Sequence, residues 1–573
     1  MKFDDILVEI GEFGTYQKRL YVLLCLSGIP VACFMMQLVF VMETPKFRCQ
    51  IPGLENDRYS EMGINHSLLV QKYIPQRDGC HVYRYQQDQN SSKYLDSEGT
   101  NMTVAMLKIH ANASRDECTK WVYDTEMFTE TYTSHNNLIC EKKGLPAHAR
   151  MVFFFGVLSG DLVFGALSDI IGRKKAILVG YIVLIASSFA VSWMPTFIIF
   201  CIMEFIIGAS SHGMYIICNV MAQEITGPKK RKYSGTIFHL FFSIGLCYQT
   251  LLMYLLREWK SFNIAIACSS VIMPLIYFWL LPESPRWLIS KERYKEAHDI
   301  IQRAAEVNGA KLSEHTLDYA NLEKDKSEGH IWQLCSSGRL FFQSFVLNFN
   351  WMMVSFMYYG VTMHGGNIGD FYLNFLLMGL IEFPSIIASI FLIDKIGRKK
   401  TQLLWMLSGG IACLCTIFTV LYGGKSLQPL TVLLATIGKM GSAAGFAVVY
   451  ILSVELYPTV VRNAALGFGS AFARVGSMMA PYCASVGSYV EGDLGKALPL
   501  VIFGGTSVLA GLLCLYLPET LNQKLPETIE DGINFGRKPK TNGKKAVEEN
   551  SDSEMKLMNG NFAETNLEGV QPD

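Results

Sequence analysis

Charge is what this sequence is short of. Only 17% of its 573 residues are Asp, Glu, Lys or Arg, where soluble globular proteins carry about 25%. Acids and bases are matched at 50 each, so no excess of either sign points to nucleic acid as a partner. Metal and cofactor chemistry also lack a basis. There is no Cys-x-x-Cys pair, no Cys/His cluster at ligand spacing, no phosphate-binding loop, no dinucleotide fingerprint and no nucleophile–base arrangement. An enzyme, a metal protein and a nucleotide-driven pump are therefore not expected.

What the chain does have is long apolar runs. They fall at 20–42, 149–168, 176–193, 197–221, 234–256, 262–281, 340–361, 371–393, 402–422, 428–453, 464–489 and 497–517. Each is long enough to cross about 30 Å of hydrocarbon as a helix, so the sequence reads as an all-α membrane protein with twelve spans. The first run follows a charged segment (Asp4, Asp5, Glu9, Glu12, Lys18, Arg19) and lacks the small-residue end of a cleavable leader, so it is expected to be a retained anchor.

Basic residues set the orientation. Arg173-Lys174-Lys175, Lys229-Lys230-Arg231-Lys232, the Arg286–Arg339 stretch and Arg398-Lys399-Lys400 share one side, which places that side and both termini in the cytoplasm. Segment 43–147 then lies outside the cell. It carries N-glycosylation sequons at Asn65, Asn90, Asn101 and Asn112, and the cysteines Cys49, Cys80, Cys118 and Cys140. Four cysteines in an oxidising loop read as two disulfides, with three connectivities open. The other eleven read as small buried hydrophobes.

Three motifs recur in the same order. Gly165-Ala-Leu-Ser-Asp169-Ile-Ile-Gly172-Arg173 returns as Asp394-Lys-Ile-Gly397-Arg398. Glu224 with Arg231 returns as Glu455 with Arg462. Pro282-Glu283-Ser284 returns as Pro518-Glu519-Thr520. The offset stays between 225 and 236 residues, so the chain is two six-helix halves, a pattern of alternating-access carriers. The expected units are 1–288, a polar helical linker 289–338, a second half 339–532 and a disordered tail 533–573. The duplicated acids and arginines, with Arg286, are candidate gating residues, expected to pair across the halves in one state and part in the other.

These motifs resemble the major facilitator superfamily. Pro282-Glu-Ser-Pro-Arg-Trp-Leu288, Glu455-Leu-Tyr-Pro-Thr-Val-Val-Arg-Asn463 and Pro518-Glu-Thr with Leu525-Pro-Glu-Thr-Ile-Glu-Asp531 narrow the resemblance to the organic cation/anion/carnitine transporters (solute carrier family 22), over residues 1 to 532. The resemblance implies a plasma-membrane carrier with a central cavity lined by aromatic and charged residues. Arg474 looks like the anion and carnitine branches, and Glu382 like the cation and carnitine branches. Ile386 stands where the anion branch has a lysine. One cavity is then expected to offer Arg474 to a carboxylate and Glu382 to an ammonium, which suits a carnitine-like zwitterion.

Physics selects an overlapping set. An ionisable residue inside a span costs at least about 2.5–3.5 kcal/mol unless paired or hydrated, which singles out Asp161, Glu204, Glu382, Lys439 and Arg474. Tyr358, Trp351, Tyr215 and Tyr450 look like family cavity positions able to accept a cation on a ring face. Two departures stand out. Glu204-Phe-Ile-Ile-Gly208 has an acid where the family has an arginine, and Asp161 stands where a small neutral residue is expected. Both are candidates for coupling to protons or sodium. The partners expected are an organic cation or zwitterion and the lipid bilayer, and assembly as a homo-oligomer is compatible with the resemblance. An organic anion exchanger is the alternative function, and a non-transporting receptor or adhesion scaffold a third.

Overall fold

The computed structural model describes residues 3–51, 54, 56–60, 63–75, 78–83, 115–312, 330–367, 369–424, 426–490, 492–523 and 525–536. Twelve long helices dominate them: α1 (Thr15–Val41), α2 (Leu145–Ile171), α3 (Arg173–Val191), α4 (Phe197–Glu224), α5 (Arg231–Leu256), α6 (Trp259–Leu280), α7 (Gly338–His364), α8 (Phe371–Ile396), α9 (Arg398–Tyr422), α10 (Gln428–Leu456), α11 (Arg462–Ser485) and α12 (Asp493–Leu513). Eleven of these are long and apolar enough to cross a membrane. The exception is α11, where two arginines and three serines dilute a run of alanine and glycine.

The same packing order appears twice. In the first half α1 lies against α5, and α3 against α4 and α6. In the second, α7 lies against α11, and α9 against α10 and α12. The halves meet along α2–α11 and α5–α8. This is the major facilitator fold expected from the duplicated motifs.

Proline breaks one helix in each half. Pro30 cannot donate to the Leu26 carbonyl, and α1 is interrupted between Cys25 and Gly28. Pro384 cannot donate to the Leu380 carbonyl, and α8 is interrupted at Ile381. The second break leaves Glu382 at the head of a new helical segment, deep in the protein.

Small residues bring α2 and α4 into backbone contact. A side chain at Gly160 would run into the Ala209 backbone, and one at Gly208 into the Phe153 carbonyl. That approach sets Asp161 of α2 opposite His212 of α4. Of the glycines of α11, Gly476 abuts the Met352 carbonyl and Gly469 the Trp351 ring, while Gly467 faces open space. The outer surface is apolar, with Trp193, Trp279, Tyr422 and Tyr516 exposed near helix ends, as in an interfacial aromatic belt.

The segment after α1 forms two small antiparallel pairs, β1 (Phe47–Cys49) with β4 (Trp121–Tyr123) and β2 (His81–Tyr83) with β3 (Arg115–Glu117). Cys49 is joined to Cys118 and Cys80 to Cys140, which selects one of the three connectivities. Asn65 lies on the helix Ile64–Tyr73. Asn90, Asn101 and Asn112 lie outside the described residues, as does the tail beyond 536. Between the halves, helices Pro285–Ser290 and Tyr294–Asn308 occupy the linker region.

Candidate functional site

Two ionic clusters sit at the centre, each built from several helices. Glu382, at the break in α8, is buried. The Tyr358 hydroxyl of α7 donates to its Oε1 at 2.6 Å, and the Ser243 hydroxyl of α5, from the other half, donates to its Oε2 at 2.6 Å. The Lys439 ammonium of α10 lies 3.0 Å from the same Oε1. It also donates to the Thr362 hydroxyl at 2.9 Å and stands 3.0 Å from the centroid of the Tyr358 ring. Lys439 has no exposed surface at all.

The second cluster straddles the α2–α11 boundary. Asp161 Oδ1 lies 2.5 Å from His212 Nδ1, and Asp161 Oδ2 lies 3.3 Å from Arg474 Nε. A terminal nitrogen of Arg474 reaches His212 Nε2 at 2.8 Å. The consecutive residues Tyr358 and Tyr359 join the clusters. Tyr358 serves Glu382, while Tyr359 interacts with Arg474 and packs its ring on Phe154 at 4.7 Å. With His212 neutral, each cluster sums to zero charge, which is how ionisable groups persist at this depth.

The two groups expected to meet substrate, Arg474 and Glu382, are each paired in this structure, with Asp161 and Lys439. The other candidates are placed as follows. Tyr215 packs against Phe238, with its ring 5.7 Å from that of His212, and its hydroxyl lies 3.2 Å from His239 Nδ1. Trp351 is two helical turns from Tyr358, with its indole donating to Ser453 at 3.0 Å and its ring against Phe446 and Tyr450. Tyr450 keeps 40% of its surface open, and its side chain interacts with Gln223 of α4 in the other half. Glu204 is fully buried. Gln37 donates to one of its oxygens at 2.7 Å, and the other has no partner among the described residues.

In this conformation the duplicated motifs pair inside each half, the arrangement expected of a state in which the halves have parted on this face. Arg173 meets Asp169 at 2.6 Å and Glu224 at 3.4 Å, all in the first half. Arg398 meets Glu455 at 2.8 Å and Asp394 at 3.8 Å, all in the second. Glu283 accepts the amide of Arg173 at 2.8 Å, and Glu519 that of Arg398 at 2.8 Å. Each carboxylate thus caps a helix N-terminus, where the macrodipole favours negative charge. The glycines before these helices, Gly172 (φ +105°) and Gly397 (φ +92°), adopt a backbone that L-residues avoid and leave room for the acid. Arg231 is held by Asp4 and Arg462 by the Tyr457 carbonyl, and Arg286 lies on Pro285–Ser290.

Cross-half contacts gather on the side that carries the disulfide loop. His148 meets Tyr482 at 2.7 Å, Tyr372 donates to the Met127 carbonyl at 2.7 Å, and Phe371 packs on Phe40 and Phe128. These contacts join the halves beside the loop.

Sequence reasoning missed His212, Ser243, Thr362 and Tyr359. His212 is an ionisable residue in a span, so the rule that found Asp161 would have found it. A serine or threonine in a span carries no comparable signal.

The sequence model of the sugar (and other) transporter family matches residues 122–531. The organic cation transporter protein of Drosophila melanogaster is 33% identical over 98% of this chain and 100% of its own length. Human organic cation/carnitine transporter 2 is 29% identical over 92% of this chain and 93% of its own. Among solved structures, the partially occluded inward-open xylose transporter XylE from E. coli aligns with a TM-score of 0.54 at 16% identity, covering 67% of this chain and 90% of that one.

Proposed function

Because this chain belongs to the sugar (and other) transporter family, and within it to the organic cation and carnitine transporters of solute carrier family 22, we propose that it carries small organic cations or carnitine-like zwitterions across the plasma membrane by alternating access. In this reading both termini are cytoplasmic and the disulfide loop is extracellular.

The observation that carries the reading is the surroundings of Glu382. A buried carboxylate, a tyrosine face and the Thr362 hydroxyl hold an ammonium group, while the Ser243 hydroxyl of the other half donates to the carboxylate. That is the recognition chemistry of an organic cation. Arg474 offers the complementary end, since a substrate carboxylate can exchange with Asp161 for its guanidinium. Groups shared between the halves give the substrate a means of biasing their rocking. The anion-exchanger reading has less support, because Asp161 offsets Arg474 and Glu382 offsets Lys439.

Saturable uptake of tetraethylammonium and of carnitine by cells expressing the chain tests the proposal. Glu382→Gln, corrected for the amount at the cell surface, should lower tetraethylammonium uptake about tenfold or more, the scale of a lost charge–charge attraction in a low-dielectric site. Absence of saturable uptake in the unaltered protein would overturn the carrier reading in favour of a receptor.

A further inference from the structure

The ammonium of Lys439 occupies the position that an organic cation is expected to take. Its Nζ lies 3.0 Å from Glu382 Oε1, 2.9 Å from Thr362 Oγ1 and 3.0 Å from the centroid of the Tyr358 ring. Glu382 also accepts from Tyr358 and Ser243, so few of its roughly four lone-pair sites remain free. A second cation cannot reach both the carboxylate and this face of Tyr358 while Lys439 stays in place.

We propose that Lys439 is a tethered competitor, an internal ammonium that fills the cation subsite at rest, must swing away when substrate binds, and thereby selects zwitterions over simple cations. The inference rests on the carrier reading above. Lys439 has the means to move, being a compact charge on a flexible four-carbon stem. Once displaced it is a buried cation without a counter-charge, and the low-dielectric interior makes that state unfavourable. A bare quaternary ammonium leaves Lys439 in that condition. A zwitterion brings a carboxylate that takes Arg474 from Asp161, so one carboxylate is left unmatched to offset the released ammonium. Discrimination then comes from a penalty on the wrong substrate as well as an attraction to the right one.

Two Lys439 variants test this against the unaltered carrier, with KM measured for tetraethylammonium and for carnitine and with surface protein quantified. Lys439→Gln removes the competitor. It should lower KM for tetraethylammonium about tenfold relative to KM for carnitine. Lys439→Arg keeps the charge and so protects the fold, while its planar fork grips Glu382 through two nitrogens. It should raise KM for tetraethylammonium severalfold. A tetraethylammonium-to-carnitine KM ratio unchanged in both variants overturns the proposal and leaves Lys439 a structural partner of Glu382. If Lys439→Gln does not reach the surface, the Arg variant decides alone, because an unchanged or lowered KM for tetraethylammonium contradicts competition. Failure of the unaltered protein to transport either compound refutes the carrier reading instead, so the two failures are distinguishable.

Discussion

Arg474 of α11 and Asp161 of α2 face each other across the boundary between the halves, Nε to Oδ2 at 3.3 Å, with His212 of α4 touching both. The carboxylate that neutralises Arg474 therefore comes from the opposite half. Any rocking motion must carry this pair, stretch it or replace it. A substrate carboxylate that takes over Arg474 would free Asp161 and release one tie between the halves.

Asp161→Asn follows directly. Truncating one partner of a buried pair typically costs about 3–5 kcal/mol, because the other charge is left uncompensated. The purified variant should melt at a clearly lower temperature. Its Arg474, now opposed only by neutral groups, should draw in aromatic anions such as p-aminohippurate, which the unaltered protein is expected to transport poorly. Unchanged melting with unchanged anion uptake would mean that the pair contributes neither stability nor selectivity.

The two capping acids allow a test of pairing within each half against pairing across them. Glu283 and Glu519 each accept amides at the start of a helix in their own half. Removing the charge with Glu283→Gln or Glu519→Gln should cost roughly 0.3–1 kcal/mol each, as expected for an anion at a helix N-terminus. Sites in different halves with no shared partner should add in the double variant. Thermal melting of the two single variants and the double checks this. A double effect well below or above the sum would show that the caps communicate across the halves.

The fold was legible because hydrophobic length and motif repetition are local properties of a sequence. Twelve runs and three duplicated motifs were enough to give α1–α12 and the two-half arrangement. Pairings were less legible, since they depend on which faces meet. Asp161, Glu382, Lys439 and Arg474 stood out as ionisable groups in lipid-length runs, but nothing local says that Lys439 seeks Glu382 rather than substrate. The same holds for the duplicated arginines. Their spacing announced a repeat, and only the packing of α3 on α4 and of α9 on α10 shows that each finds its acid at home. The disulfide connectivity stayed open for the same reason, since Cys118 donates its backbone amide to the Cys80 carbonyl while its sulfur is bonded to Cys49.

Asp57 gives the disulfide loop an acid-sensitive lock. Its carboxylate binds both terminal nitrogens of Arg48, at 2.8 and 2.6 Å, accepts the Ile51 amide at 2.8 Å and lies 2.9 Å from His66. Burial alone would raise its pKa, but the hydrogen bonds from Arg48, Ile51 and His66 outweigh burial and hold it at about 2. An acid held below its unfolded value of about 3.9 favours the folded loop when ionised. That contribution is complete above pH ~4 and is lost as the pH falls toward 2. Pepsin digestion of the full-length protein in detergent covers this range. Cleavage between residues 47 and 66 should rise steeply in the unaltered chain as the pH drops from about 4 to about 2. Asp57→Asn, which cannot form the charged lock, should be cleaved readily and with little pH dependence across the same window. Equal, flat cleavage of both proteins would mean that Asp57 does not hold this part of the loop.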